Sequence, residues 1–201
     1  METMWTPWRI GFIVGEKPQG CLFCLKQQAS GDKDAENYIL HRGASCLVML
    51  NLYPYTNGHL LIAPYQHVPS IELLDRDSLS EVCRLAQASV VALRKTLSPD
   101  GFNIGMNLGK SAGAGVADHI HLHVVPRWAG DTNFMSVLAD VRLIPEALGQ
   151  TYKALTRAFP EALAAQGRAW LDQWRGNPRV PNCPEGAIKL PIDLWNCKLR
   201  A

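Results

Sequence analysis

Three histidines alternate with aliphatic residues in one short segment, which reads His119-Ile120-His121-Leu122-His123-Val124-Val125. Side chains of a β-strand point alternately to its two faces, so an extended chain places all three imidazoles on one face. Three of the six histidines in the chain lie within these five residues. We therefore predict a half-buried strand over residues 119–125, closed by Pro126, that carries a functional row of imidazoles.

Two chemistries fit such a row. All three imidazoles could bind one catalytic metal ion, or the row could hold a nucleophilic histidine that its neighbours orient. The loop before the strand, residues 109–115, consists largely of glycine, alanine and serine. Small residues let backbone N–H groups approach an anion closely. A phosphate-binding loop that leads into an imidazole favours phosphoryl chemistry over metal-assisted hydrolysis.

The composition restricts the class of protein. Of the 201 residues, 47% are apolar and 19% charged, and the net charge is +2. These values are typical of a globular domain and give no reason to expect a nucleic-acid partner. The N-terminus lacks the apolar core of a secretory signal, and no apolar run approaches the ~18 residues that span a bilayer. We expect a cytoplasmic protein with no membrane partner.

Strand and helix patterns alternate through the first three quarters of the chain. Strand-like composition recurs in four further segments: residues 38–40, 46–50, 59–63 and 102–107. Ser78 and Glu81 have the spacing of a capping box and open a helix with one apolar face. A second helix is predicted over residues 145–159, where Pro160 interrupts the period. Five short strands with helices between and after them predict an α+β fold with a mainly antiparallel sheet.

The chain divides into two parts on these patterns. Residues 1–160 form the main domain, which includes the N-terminal Cys-x-x-Cys segment, and residues 161–201 form a C-terminal extension of unknown role. Cys21 and Cys24 make up the Cys-x-x-Cys pair. By itself this spacing is compatible with metal ligands or with a redox pair.

Several motifs together resemble the histidine triad (HIT) superfamily, in the bacterial branch related to diadenosine tetraphosphate phosphorylases. The resemblance covers most of residues 5–135. It is carried by Trp5-x-Pro7-Trp8-Arg9, Asn51-x-x-Pro54-x-x-x-Gly58-His59-x-Leu61-Ile62-x-Pro64, His67, Gly101-Phe102-Asn103-x-Gly105-x-Asn107, the His-x-His-x-His strand, and Pro126-Arg127-Trp128-x-Gly130-Asp131-Thr132-Asn133-Phe134. The resemblance implies a HIT-like, five-stranded, mainly antiparallel sheet with helices packed on it.

The resemblance also assigns catalytic roles. His121, the middle histidine, would attack the α-phosphorus of a nucleotide, and a second acceptor would resolve the nucleotidyl-histidine. Neutral imidazole suits this role because its unperturbed pKa is ~6.5. His123 would contact phosphate, and His119 would complete the triad. His59 matches a family position that we interpret as a structural support.

Further family positions predict the nucleotide contacts. The backbone amides of residues 113–116 would stabilise charge on the phosphoryl oxygens. Asn107 would donate beside them, Asn51 would bind ribose hydroxyls, and Trp128 would shape the far end of the pocket. The four loop positions are Gly113, Ala114, Gly115 and Val116.

Four residues match the metal ligands of the zinc-containing HIT branches: Cys21, Cys24, His67 and His119. Two thiolates and two imidazoles make a closed tetrahedral site, so the Zn²⁺ would be structural. It would tie the N-terminal segment to the catalytic strand and orient His119. The resemblance also implies a homodimer.

The function expected from this resemblance is cleavage of diadenosine polyphosphates at the α-phosphate. The second acceptor would be inorganic phosphate, which yields ADP and ATP, or water. Gly115 and Val116 stand where several hydrolase members carry polar side chains, which favours room for phosphate, whereas Leu122 stands where the phosphorylases carry glutamine. Alternatives are a hydrolase of nucleoside phosphoramidates or adenylated small molecules, a non-catalytic nucleotide-binding module, and the three-histidine metal enzyme.

Overall fold

Five antiparallel strands form one sheet in the computed structural model, which describes residues 20–131 and 146–165. The strands are β1 Ile39–Arg42, β2 Cys46–Leu50, β3 Leu60–Pro64, β4 Gly101–Met106 and β5 Leu122–Arg127. The α-helices are α1 Leu22–Gln28, α2 Arg76–Leu97 and α3 Leu148–Ala164. The strand order is β1-β2-β3-β5-β4, and every neighbouring pair is antiparallel. The predicted α+β fold with a five-stranded antiparallel sheet is confirmed.

The two faces of the sheet carry different layers. Strands β2 and β3 are buried at every position. Successive side chains of a strand point to opposite faces of the sheet, so both faces must be covered by other parts of the chain. On the first face, helices α2 and α3 cover Val48, Leu50, Leu60, Ile62, Leu122 and Val124. On the second face, Phe23 of α1 packs with Ile39, Leu47, Met49, Leu61 and Ala63. His123 is paired with Leu61 and so belongs to this second face.

Strand β5 begins later than the sequence predicts. The expected strand over 119–125 is observed at Leu122–Arg127, and Pro126 lies inside it, opposite Phe102. The preceding residues are held by other contacts, since the backbone N–H of Ile120 donates to Val68 O at 2.7 Å. His119 and His121 therefore lie on the segment that leads into the strand.

The start of helix α2 also differs from the prediction. Asp75, not Ser78, caps the helix, because its Oδ1 accepts the Ser78 backbone N–H at 2.7 Å. The predicted capping box of Ser78 and Glu81 is wrong. Glu81 instead turns toward the β1–β2 connection and accepts the backbone N–H groups of Ala44 and Ser45.

Helix α3 continues through Pro160, where the sequence predicts an interruption. A proline inside a helix costs about 3 kcal/mol, because it removes one backbone hydrogen bond and crowds the preceding turn. Buried Phe159 and Ala162 on either side of it pack into the first-face core, and this packing offsets the cost. The predicted extension 161–201 lies outside the described residues beyond position 165 and stays a prediction.

None of the helices within residues 20–131 and 146–165 combines the length and apolar composition that a bilayer crossing requires.

Candidate active site

A row of imidazoles lies on the second face of the sheet. His119 is completely buried and His121 is 5% exposed. The ring centroids of His121 and His123 are 4.8 Å apart. Leu122 and Val124, between and after them, belong to the core of the first face. The predicted alternation of histidines and aliphatic residues therefore holds, although only His123 of the triad lies within β5.

His121 has one ring nitrogen committed and one available. Its Nδ1 lies 2.9 Å from the backbone oxygen of His119, and a carbonyl oxygen can only accept. Nδ1 therefore carries the proton, and the lone pair of a neutral ring is on Nε2. Burial lowers the pKa of His121, which favours the neutral, nucleophilic form.

His123 is oriented by His59. The backbone N–H of Tyr55 donates to Nδ1 of His59 at 3.1 Å, so the proton of His59 is on Nε2. That Nε2 lies 2.9 Å from Nδ1 of His123, which must accept. Nε2 of His123 is buried and has no hydrogen-bond partner among the described residues. Burial, and secondarily the neighbouring His121, lower the pKa of His123 to about 4.

The third histidine faces away from this pair. Nε2 of His119 lies 2.8 Å from Pro64 O and donates to it. Its Nδ1 lies 3.3 Å from Cys21 Sγ. Since neither nitrogen of His119 is directed to His121, the three imidazoles do not converge on one metal ion. The three-histidine metal enzyme is therefore not supported by the geometry.

Four side chains form a compact cluster beside His119. One potential ligand atom from each of Cys21, Cys24, His67 and His119 lies within 4.8 Å of all the others. The two Nδ1 atoms are 3.1 Å apart, and three S···N distances are 3.3, 3.3 and 3.6 Å. Tetrahedral zinc with ordinary bond lengths requires about 3.4 Å for N···N and about 3.6 Å for S···N. The donor set and its spacing therefore fit one tetrahedral metal ion, and Pro64 fixes the tautomer that turns Nδ1 of His119 toward it.

The loop of small residues before the histidine row forms a tight turn in which two backbone N–H groups are not used within the loop. Gly109 and Gly113 have φ of 79° and 86°, which a side chain disfavours. The N–H groups of Gly113 and Ala114 donate within the loop, to Lys110 O and Gly109 O. Gly115 and its successor Val116 make no hydrogen bond through their N–H groups within the described part of the chain. Of the four predicted phosphate-binding amides, these two are available.

The remaining predicted nucleotide contacts lie in different places. Asn107 directly follows the pair of Met106 and Leu122, so the next position of the ladder places it beside His121. The Asn51 Oδ1 accepts the Tyr53 N–H at 2.9 Å, so the side chain of Asn51 forms part of a turn in this structure. Trp128 follows the far end of β5, so roughly 20 Å of strand length separates it from His121.

Two residues of this site were not identified from the sequence. Phe23 packs against the rings of His119 and His121 at centroid distances of 5.1 and 4.8 Å. Tyr55 stacks on His123 at 5.9 Å with an interplanar angle of 14°. The sequence signals that could have identified them are the position of Phe23 between the paired cysteines and that of Tyr55 directly after Pro54.

The chain belongs to the HIT family. The family model described as HIT domain matches residues 33–130. The chain is 35% identical to a Mycobacterium tuberculosis protein named AP-4-A phosphorylase, over 77% of this chain and 83% of that protein. It is 31% identical to an uncharacterized HIT-like protein of Saccharolobus solfataricus, over 71% of this chain and 97% of that one.

A solved structure shares the fold as well. The crystal structure of a Zn-bound histidine triad family protein from Mycobacterium smegmatis superposes with a TM-score of 0.58 and 28% identity. The match covers 73% of this chain and 98% of that one. These relatives confirm the resemblance to the HIT superfamily.

Proposed function

We propose that this chain is a nucleotide-processing HIT enzyme that cleaves diadenosine polyphosphates at the α-phosphate, with His121 as the nucleophile. One observation carries the proposal: Nδ1 of His121 donates to His119 O at 2.9 Å and leaves the Nε2 lone pair for attack. The lowered pKa of His121 supports a neutral ring at physiological pH. Similarity to the AP-4-A phosphorylase of Mycobacterium tuberculosis supports the substrate class.

In the first step, Nε2 of His121 bonds to the α-phosphorus while the P–O bond to the β-phosphate breaks. The leaving nucleoside polyphosphate takes the electron pair of that bond. The Nε2–H of His123, held by His59, donates a hydrogen bond to a phosphoryl or leaving oxygen. The N–H groups of Gly115 and Val116 stabilise charge on the non-bridging oxygens.

In the second step, an oxygen of the acceptor attacks the same phosphorus. The P–N bond breaks, and its electron pair returns to Nε2 of His121. With diadenosine tetraphosphate and inorganic phosphate the products are ADP and ATP. With water as acceptor they are AMP and ATP. The open position beside Gly115, where an added Cβ would meet nothing within 4 Å, supports phosphate as the acceptor.

The cluster of Cys21, Cys24, His67 and His119 holds a structural Zn²⁺ in this proposal. Two thiolates and two imidazoles complete a tetrahedral shell and leave no position for water. The ion would supply no chemistry to the reaction. It would hold α1 against the segment that carries His119 and His121. The Zn-bound relative from Mycobacterium smegmatis supports this assignment.

A homodimer joined along β4 completes the proposal. Strand β4 is an edge of the sheet and carries Ile104 at 48% exposure, and Leu108 just after it is 42% exposed. An exposed apolar edge strand presents unpaired backbone groups to which a strand of a second chain can pair. Light scattering after size exclusion tests the dimer, and a monomer at micromolar concentration would overturn it. Ile104→Lys should shift the protein toward monomer.

The deciding experiment is a product assay with diadenosine tetraphosphate, with and without inorganic phosphate, on wild type and His121→Ala. Phosphate-dependent ADP plus ATP that disappears in the variant supports the phosphorylase. AMP plus ATP formed without phosphate indicates a hydrolase. A nucleotide trapped on His121 excludes a non-catalytic binding module. Equal activity in the variant would overturn the mechanism, and an inactive wild type would direct the search to phosphoramidates and adenylated small molecules.

A further inference from the structure

The His121 ring is in contact with two other rings. Its centroid is 4.8 Å from that of Phe23 and 4.8 Å from that of His123. Phe23 is itself only 1% exposed. Aromatic rings at this separation make extensive van der Waals contact and exclude water. The phenyl ring is therefore close enough to restrict rotation of the imidazole.

The position of Phe23 is fixed at both ends of a short helix. Its neighbours Cys21 and Cys24 belong to the metal-ligand cluster at the N-terminal end of α1. At the other end, the guanidinium of Arg42 donates to the backbone oxygens of Lys26, Gln27 and Ala29. Arg42 is in turn paired with Asp34 at 2.7 Å. A helix of seven residues is too short to be stable alone, so these two attachments determine where the phenyl ring lies.

We propose that Phe23 is a positioning residue for the nucleophile: its ring holds His121 in the orientation that bonds His119 O through Nδ1 and presents Nε2. The proposal rests on the nucleophilic role of His121 proposed above. It assigns a second task to the Cys-x-x-Cys helix, beyond supplying two thiolates. The residue between the cysteines couples the metal-binding segment to the reacting imidazole through packing alone.

The physical basis is the limited number of contacts that fix the imidazole plane. One hydrogen bond through Nδ1 restrains the ring along one direction only, and a half-turn about the Cβ–Cγ bond puts Cδ2 in the place of Nδ1 and Cε1 in the place of Nε2. Such terminal torsions have broad, roughly two-fold energy wells. The flanking rings supply the remaining restraint. Loss of the phenyl face frees the ring to turn, and in the turned ring Nδ1 no longer reaches His119 O and Nε2 no longer faces the substrate.

The test compares Phe23→Leu with Phe159→Leu. Phe159 is equally buried but lies on the other face of the sheet, so its substitution is a control for lost packing. Three properties are measured on the metal-loaded protein: the His121 tautomer by ¹⁵N–¹H correlation spectra of the imidazole, the single-turnover rate of nucleotidyl-histidine formation, and the metal content. Wild type should show one tautomer, protonated on Nδ1.

Phe23→Leu should give mixed tautomers and slow nucleotidylation about tenfold, with a half-saturating substrate concentration within about twofold of wild type. Metal content should not change. Phe159→Leu should keep the wild-type tautomer and rate. An unchanged tautomer in Phe23→Leu overturns the proposal, as do equal changes in Phe159→Leu or a parallel loss of metal, which would make Phe23 a part of the metal site only.

The tautomer measurement needs no turnover. If wild type forms no nucleotidyl-histidine, the proposed function fails, and the spectra of the two variants still decide whether Phe23 orients His121.

Discussion

Nε2 of His59 lies 2.9 Å from Nδ1 of His123, and the proton between them belongs to His59. The assignment follows from the backbone N–H of Tyr55, which donates to the other nitrogen of His59. His123 must therefore accept at Nδ1, so its neutral ring is protonated at the buried Nε2. His59, interpreted from the sequence as a structural support, thus determines which hydrogen-bonding group His123 has available.

Amide substitutions at His59 test whether its Nε2–H donor to His123 is needed for activity. Glutamine places its amide nitrogen near the former Nε2 and can still donate to His123, whereas the shorter asparagine cannot reach it. His59→Asn should therefore lower kcat by about 10- to 100-fold, the usual effect of losing an orienting hydrogen bond. His59→Gln should retain most of the activity. Steady-state kinetics on diadenosine tetraphosphate measure both.

His41→Asn is the control for this pair. His41 is a half-buried histidine in β1 whose ring packs against Phe159 on the first face, away from the triad. Its substitution should leave kcat unchanged. Equal losses in His59→Asn and His59→Gln would show that His59 acts by filling space.

Acid should destabilise the protein through His123. Its pKa is lowered to about 4 from the usual ~6.5, so the unfolded chain binds a proton that the folded chain excludes. The contribution of His123 to the free energy of unfolding is therefore fully present above pH ~6.5. It is lost as the pH falls toward 4, and the loss is at most about 3 kcal/mol. Urea unfolding at pH 7 and pH 5 measures the loss.

The matched variant for the pH effect is His123→Gln. It removes the titrating group, so the difference in unfolding free energy between pH 7 and pH 5 should be smaller than in wild type. Both proteins keep the other buried histidines, so the comparison isolates the contribution of position 123. An identical pH dependence in both would refute the assignment.

Local patterns of the sequence predicted the sheet and the histidine face, because alternation along a strand is a property of neighbouring residues. The beginning of β5 was missed, because a contact between Ile120 and Val68, 52 positions apart, decides it. The His59–His123 pair spans 64 positions, and no local signal specifies a proton between two distant rings. Likewise, the phenyl ring between the cysteines gave no indication that it would pack on His121.

Glu81 provides a prediction about stability alone. Its buried carboxylate accepts the N–H groups of Ala44 and Ser45 at the β1–β2 connection. Glu81→Gln replaces one acceptor by an amide donor and should lower the free energy of unfolding by about 1.5–3 kcal/mol. Activity at 25 °C should be retained, since α2 covers the face opposite the triad. The control is exposed Glu36→Gln, which should unfold like wild type in urea.

Metal binding should depend on the four Cys and His residues of the cluster and not on His121, the proposed nucleophile. His67→Ala removes the exposed member of the proposed zinc site and should lose the ion, whereas His121→Ala should retain about one per chain. With free zinc at 100 times Kd, the ion adds about 2.7 kcal/mol of stability. The Tm of His67→Ala should therefore fall by about 5–10 °C. Mass spectrometry of metal content and calorimetry check this, and metal lost from His121→Ala would indicate a different site.

Gly115 tests the choice between phosphate and water as acceptor. Its φ is not in the left-handed region, and an added Cβ would meet no atom within 4 Å, so a side chain fits without strain. Gly115→Gln adds a polar side chain at this position. We expect it to occupy the space of the incoming phosphate and to reduce phosphorolysis at least about tenfold, while hydrolysis continues. Gly115→Ala, which adds only a methyl group, should keep phosphorolysis. Full phosphorolysis by Gly115→Gln in the ADP-release assay would show that the acceptor binds elsewhere.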